Sequence, residues 1–305
     1  MVSSEWDKSF AIVRSFVGDD VPAERIENVL LKFSQNGTKS LTIDESNALF
    51  RRVLHPLQKM KIALLVVDFQ NDFVTGSLSI KNGDSGDDPI DALPSLNTLI
   101  QHPNLDSIVY TMDWHPSNHI SFYEHARNSD RVLSPDDKIR KLRPFDIVRF
   151  EIPNTVQILY PTHCVQGSWG AQLHPQMIIS PNAKYIRKGT DVHIDSYSAF
   201  KENDGARRTE LDSLLRDDGI TAVLACGLAY DICVMHTLKD AASLGYLSAI
   251  VTDCSKGLST EKKKEADDLF RAKKVAIVSE DTASSIIDRQ AVPIEWLEAL
   301  ACRSK

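Results

Sequence analysis

The residues that could do chemistry begin with Cys226-Gly227-Leu228-Ala229-Tyr230-Asp231-Ile232-Cys233-Val234. An apolar run, Gly219 to Ala225, precedes this stretch. A segment with apolar residues at helical spacing (Val234, Leu238, Ala241, Ala242) follows it. The stretch therefore reads as a strand-to-helix turn with Cys233 at or near the helix start. Free backbone N–H groups and a partial positive charge at such a start favour a thiolate. The same N–H groups can hold the oxyanion of an acyl intermediate. The bland alternative is an inert buried cysteine, among the commonest buried residue types.

Other chemistry-bearing residues also follow apolar runs. Asp68 ends Ile62 to Val67 and opens Asp68-Phe69-Gln70-Asn71-Asp72-Phe73. The next run ends in Asp113-Trp114-His115-Pro116-Ser117-Asn118-His119. Asp113 and His115, two apart in an extended segment, project to the same side. With His163, and His119 as a candidate further ligand, they form an oxygen and nitrogen set that suits zinc, iron or manganese. Any one of these histidines taken alone is an ordinary surface residue. Lys188 follows Tyr185-Ile186-Arg187. A lysine just past a strand is usually solvated; turned inward beside Asp68 and Cys233 it would hold the acid ionised.

These residues need strands and turns to place them. Ile62-Ala-Leu-Leu-Val-Val67 is a continuous apolar run, the mark of a strand buried on both faces. Similar runs occupy 107–112, 185–186, 221–225, 248–252 and 274–279, with helical stretches at about 89–101, 207–217, 234–244, 261–272 and 281–289. Alternating strand and helix implies an α/β fold, a parallel sheet with helices on both faces. Ligands bind outside the carboxyl ends of such strands. Stretches 81–88 and 124–149 read as loops, the second long enough for a lid or rim.

Residues 1–56 read as a separate helical segment and 57–305 as the catalytic domain, with His55 to Lys61 as linker. Within the first segment, Ser34 to Glu45 between two helices resembles an EF-hand loop. As a calcium site it is poor: Ser34, Asn36 and Thr38 replace carboxylates, Lys39 replaces the turn glycine, and only Glu45 fits. Calcium is therefore not expected as a partner.

The composition is that of a soluble globular chain, with 42% hydrophobic and 25% charged residues over 305 positions. A net charge of −7 argues against nucleic acid as a partner. No apolar run is long enough to span a membrane. The start is not a basic region leading into an apolar core, so no secretory signal is expected. Five scattered cysteines suggest reduced thiols inside the cell.

Taken together, the motifs resemble the cysteine hydrolases of the isochorismatase-like superfamily, most closely the nicotinamidases. The resemblance covers about 61–290. It rests on Val67-Asp68-Phe69-Gln70-Asn71-Asp72-Phe73, Asp113 to Phe122, His163 to Gly170, Arg187 to Asp191, Asp195 to Phe200 and Gly227 to Val234, in the family's order. It implies a three-layer fold and a triad of Asp68, Lys188 and Cys233. It implies an oxyanion site at the N–H groups of Ala229 and Cys233, and a cis peptide between Leu228 and Ala229. It implies a divalent metal, zinc first, on Asp113, His115 and His163; the histidine matching His119 is a direct ligand in only some members.

The implied reaction is hydrolysis of nicotinamide to nicotinate and ammonia through a cysteine thioester, a step of NAD salvage. Phe73, Trp169 and Tyr197 are candidates to line the ring, with ordinary packing as their alternative role. The segment before residue 56 is similar to that of some animal nicotinamidases. A cytoplasmic location is expected, the nucleus being open, and the oligomeric state is open, a homo-oligomer included. Three alternatives stand. An N-carbamoyl-amine hydrolase would lack the metal set, and an isochorismatase would lack the cysteine. A catalytically silent binding or scaffold protein would not need the triad.

Overall fold

The computed structural model describes residues 4–303. The terminal residues bearing on a leader, Met1 to Ser3, lie outside the described residues. Nine strands form two sheets: β1 (Ile62–Val67), β2 (Ser107–Asp113), β3 (Val132–Leu133), β4 (Ile147–Ile152), β5 (Thr155–Ile158), β6 (Lys184–Lys188), β7 (Ala222–Leu228), β8 (Leu247–Lys256) and β9 (Ala276–Val278). Six of them make a parallel sheet in the order β6-β2-β1-β7-β8-β9.

Strand β1 shows why its sequence is apolar without alternation. Ile62, Leu64 and Val66 enter the hydrophobic cluster on one face, and Ala63, Leu65 and Val67 the cluster on the other. Side chains that alternate across a strand meet helices on both sides here, so both sets must be apolar. The expected α/β arrangement is the observed one. The order also sets the site. β1 lies between β2 and β7, and β6 flanks β2, so the carboxyl ends of four strands deliver Asp68, Asp113, Lys188 and the Cys233 turn to one place.

Several details differ from the periodicity. Stretch 124–149 is not all loop: it holds β3, a helical turn at Pro135–Ile139 and the start of β4. Strands β3, β4 and β5 form a small antiparallel sheet over its own cluster, including Leu133, Val148, Phe150 and Leu159. With one face on the core and one in solvent, its apolar signal is half as dense as in the parallel strands. The expected linker is partly helical as well. A π turn at Phe50–Leu54 runs into helix His55–Gln58, and the wide turn leaves room for Pro56, which cannot donate to a helical ladder. Helix Ile294–Cys302 is not among the elements expected from the sequence.

The N-terminal helices Glu5–Val17 and Ala23–Leu31 bury Trp6, Val13, Ile26 and Leu30 in the same cluster as Leu64 and Val66 of β1. Arg25 pairs with Glu295 and Glu298 of the last helix, each at 2.8 Å. Between Ala23–Leu31 and helix Ile43–Leu49, the EF-hand-like loop is tied by its own hydrogen bonds. The two carboxylate oxygens of Glu45 accept from the N–H groups of Gln35 and Thr42, each at 2.8 Å, and Thr42 caps the helix in return. The one acidic residue of the loop that stands at a ligand position, Glu45, is thus spent on backbone donors. Glu45→Ala should lower the midpoint of chemical denaturation, because the capping box is lost. Calcium at about micromolar concentration should leave the wild-type transition unmoved.

Candidate active site

Asp68 follows β1 with φ 47°, a backbone region that non-glycine residues adopt at a cost. Thr111 of β2 holds it there. Its backbone N–H donates toward the Thr111 hydroxyl and carbonyl oxygens, both at 3.2 Å, and the Thr111 hydroxyl donates to Asp68 Oδ1 at 2.6 Å. Gln70, fully buried, grips the backbone of Asp113 with both ends of its amide. It donates to the Asp113 carbonyl at 2.7 Å and accepts from the Asp113 N–H at 2.9 Å.

Lys188, at the end of β6, is turned inward and buried. Its Nζ lies 2.8 Å from Asp68 Oδ2 and hydrogen-bonds Asp113 Oδ1. It also donates to the Ser196 carbonyl at 2.9 Å and reaches Cys233 Sγ at 3.5 Å. The contact with Asp68 is a close ion pair without hydrogen-bond alignment. Asp68 Oδ2 is therefore left as a buried oxygen with no directed donor. Asp68, Asp113 and Cys233 each offer an atom within 4.8 Å of the others, so a carboxylate oxygen of Asp68 is within reach of the thiol.

One lysine between two carboxylates separates their behaviour. Burial pushes both up. For Asp113, Lys188, His115 and His163 outweigh burial and hold it well below the usual carboxylate range. For Asp68, burial prevails over Lys188, with Asp113 adding to it, and the net direction is upward. Two neighbouring acids pushed apart in this way are suited to different roles, Asp68 to exchanging a proton and Asp113 to staying ionised. Lys188 is held protonated, because Asp113 and Asp68 outweigh a burial that alone would lower it. Burial pushes the Cys233 thiol up, against the pull of Lys188. The resting residue is a thiol, so the helix start does not by itself make a thiolate and a base is needed.

Cys233 stands in a π turn, Tyr230–Val234, between Ala229 and helix Met235–Ser243. The peptide Leu228–Ala229 is cis, as the family resemblance implied. The Ala229 carbonyl accepts from the N–H groups of Ile232 and Val234, each at 3.1 Å, which closes the turn under Cys233.

Beside this triad, Asp113 Oδ2 lies 3.5 Å from His115 Nε2 and 3.9 Å from His163 Nε2. The Nδ1 atom of His115 is 2.8 Å from the Gly189 carbonyl, and that of His163 is 2.8 Å from the Pro161 carbonyl. A carbonyl can only accept, so each Nδ1 carries a hydrogen, and in the neutral ring each Nε2 presents a lone pair. For His115, Asp113 outweighs burial and pushes the ring up toward its protonated form, so a cation bound there would displace that proton. Gly189 permits the first of these contacts: a Cβ there would fall 2.4 Å from the His115 ring. Burial lowers His163 to about 4, which keeps the ring neutral. Two lone pairs and a carboxylate oxygen converging in a buried space fit a divalent cation.

His119 does not join them. It stacks on His115 with ring centroids 4.1 Å apart, and its Nδ1 bonds the Ser121 hydroxyl at 2.7 Å. Its Nε2 faces the Ile194 carbonyl at 3.2 Å. Nε2 therefore holds the proton in this arrangement, although His119, His115 and Asp195 form a second group with ligand atoms within 4.8 Å of one another.

A cavity of about 30 Å³ touches Cys233, Asp113 and His163 and is walled by Phe73, Tyr160, Tyr197 and Ala229. It holds roughly one water, so its walls must part to admit an aromatic amide. Leu78, Tyr160, Ile232 and Leu258 separate it from an outer cavity of about 640 Å³. Of the three expected aromatics, Phe73 and Tyr197 line the inner cavity and Trp169 does not. Trp169 is 57% exposed; its carbonyl faces inward to accept from Asn71 and Gln172, which leaves its ring outside. Tyr160 and Asp195 line the cavity as well; Asp195 opens one of the motifs behind the resemblance but was given no role there, and Tyr160 stands in none of them.

Comparison with known proteins agrees with this geometry. Residues 62–282 match the Isochorismatase domain. The chain belongs to the isochorismatase family. Within it, a nicotinamidase of Acinetobacter baylyi is 37% identical over 202 residues, 66% of this chain and 84% of its own. A solved nicotinamidase-pyrazinamidase of Acinetobacter baumanii superposes with a TM-score of 0.63. It is 33% identical and covers 74% of this chain and 99% of its own. A pyrazinamidase of Pyrococcus horikoshii in complex with zinc gives a TM-score of 0.55 at 28% identity, over 72% of this chain and 99% of its own. A divalent metal site is common ground between that structure and the cluster found in this family member.

The buried ion cluster makes a stability prediction. Lys188→Met leaves two carboxylates uncompensated and should cost about 3–5 kcal/mol in denaturant unfolding. Adding Asp68→Asn should recover part of that loss, because one of the stranded charges is removed.

Proposed function

We propose that this protein is a nicotinamide amidohydrolase, converting nicotinamide to nicotinate and ammonia as a step of NAD salvage. One observation carries the proposal. A buried Cys233 lines one cavity with Asp113 and His163; Asp68 lies within 4.8 Å reach of Cys233 and Asp113, and His115 completes the candidate metal set with Asp113 and His163. The named nicotinamidases among its relatives support the choice of substrate.

In this reading Asp68 Oδ2 takes the Cys233 proton, and Lys188 shields the thiolate formed 3.5 Å away. The thiolate attacks the amide carbon. The N–H groups of Ala229 and Cys233 hold the oxyanion, each donor worth about 2.7–4 kcal/mol. Asp68 then gives its proton to the departing ammonia, and a water taking the same path hydrolyses the thioester. Phe73 and Tyr197 pack the ring, and Asp113, His115 and His163 hold the metal. Bound there, zinc in this reading, the metal supplies a Lewis acid for the ring nitrogen of nicotinamide. Iron and manganese suit the same donors. The enzyme works in the cytoplasm, where its cysteines stay reduced.

Three experiments test this reading. Cys233→Ala should abolish ammonia release from nicotinamide while fold and bound metal remain; turnover by that variant would end the mechanism. His115→Ala or His163→Ala should lose the metal and nearly all activity. Cys233 should still be alkylated by a small electrophile within about tenfold of the wild-type rate, a barrier change under roughly 1.4 kcal/mol. Benzamide, which lacks the ring nitrogen, should be a much poorer substrate than nicotinamide. Equal cleavage of the two amides would show that the ring nitrogen does not select the substrate.

A further inference from the structure

The metal ligand His163 stands in a segment without regular structure, between Tyr160 and Gly170. Its ring can point at Asp113 only if that segment is held from outside. Part of the hold is a bridge to the other histidine: the His115 N–H donates to the Cys164 carbonyl at 3.0 Å, and the Gln166 N–H to the His115 carbonyl at 2.9 Å. The other part involves Cys164 itself. This residue, next to His163, has φ 46°, a region that L side chains rarely adopt. In that conformation its N–H turns away from the His115 bridge and needs an acceptor of its own.

Asp72 is that acceptor: its Oδ2 accepts from the Cys164 N–H at 2.7 Å. Its Oδ1 accepts from the Ser77 N–H at 3.1 Å, and its backbone carbonyl from Leu78, a wall of the inner cavity, at 3.1 Å. The carboxylate is enclosed by two glycines. A Cβ on Gly170 would fall 1.9 Å from Oδ2, and a Cβ on Gly76 2.2 Å from Oδ1. Two missing side chains and two backbone donors make a seat for one carboxylate. None of this belongs to the triad or to the metal set.

We propose that Asp72 is a positioning residue for the metal. By fixing the Cys164 N–H it sets the direction in which His163 presents Nε2 to Asp113. The proposal rests on the reading of Asp113, His115 and His163 as metal ligands. Its role differs from that of Lys188 and Thr111, which hold the acid end of the triad. Loss of Asp72 should therefore act on the metal before it acts on the thiol.

The test compares wild-type protein with Asp72→Asn, which keeps the size but removes the charge and one acceptor. Gly170→Ala is the second variant; it keeps Asp72 and crowds it out of its seat. Cobalt(II) and zinc affinities are measured by competition with a chromophoric chelator, and cobalt(II) also reports ligand geometry through its visible absorption. Cys233 alkylation is followed in the metal-free proteins. The expected result in either variant is an affinity lower by about 10–100-fold, with an altered cobalt spectrum. Cys233 alkylation should stay within about twofold of wild type, since the thiol keeps its own contacts. Wild-type affinity and spectrum in a folded variant would overturn the role of Asp72 alone. Loss of metal together with Cys233 labelling would mark a general loosening and overturn it too. A wild-type protein that binds neither ion would overturn the metal reading and this one with it.

Discussion

Lys188 between Asp68 and Asp113 is the constraint on which the rest of the site depends. Three formal charges lie together with 0% to 7% side-chain exposure, and a thiol stands 3.5 Å from the shared cation. Burying any one of these charges alone would be strongly unfavourable. Together they are tolerable, and their asymmetry is what gives chemistry. The ammonium is aimed at Asp113 and lies off the hydrogen-bond direction of Asp68. The acid without the directed bond is the one that burial pushes up, and it is also the one beside the thiol. Asp113 stays an anion, which a cation held with His115 and His163 requires.

Around this cluster the fold supplies rigidity by backbone hydrogen bonds from side chains. Gln70 clamps the backbone of Asp113, Thr111 clamps Asp68, Gly189 gives His115 its carbonyl partner and Asp72 ties down the segment of His163. Each tie links the ends of different strands or loops, so the ligand and triad atoms are fixed relative to one another rather than merely near. The cavity they face is nearly closed. Its apolar wall of Leu78, Tyr160, Ile232 and Leu258 keeps bulk water from the thiol and has to yield to a substrate ring. Tyr160 follows directly on the small antiparallel sheet, which packs on its own cluster apart from the two main ones. Of the long stretch that looked like a rim, Pro144, Phe145 and Ile147 line the outer cavity.

In the N-terminal helices the backbone uses the one well-placed acid of an EF-hand-like loop. The loop from Ser34 to Glu45 keeps the length and the final acid of a calcium loop, yet Glu45 satisfies backbone donors that a cation site would arrange differently. Its flanking helices are useful to the fold in another way. They cover the sheet face that carries Leu64 and Val66, and Arg25 joins them to the last helix.

What the sequence by itself determined was the parallel sheet and the residues at the ends of its strands. An unbroken apolar run such as Ile62 to Val67 has one stable home, between two helical layers, and a polar residue just after it must lie at the strand end. Asp68, Asp113, His115 and the Cys233 turn were legible for that reason. Lys188 was legible only through the family resemblance, because nothing in its own neighbourhood says which way a lysine will turn. The tertiary structure alone decided that it turns inward, since only there do two carboxylates from other strands meet it. It alone decided that Trp169 faces solvent and Tyr160 the cavity, and that Asp72 seats between two glycines. Each of these depends on which atom of a distant segment is nearest, and pairings between segments some ninety residues apart, as for Asp72 and Cys164, leave no mark in local spacing.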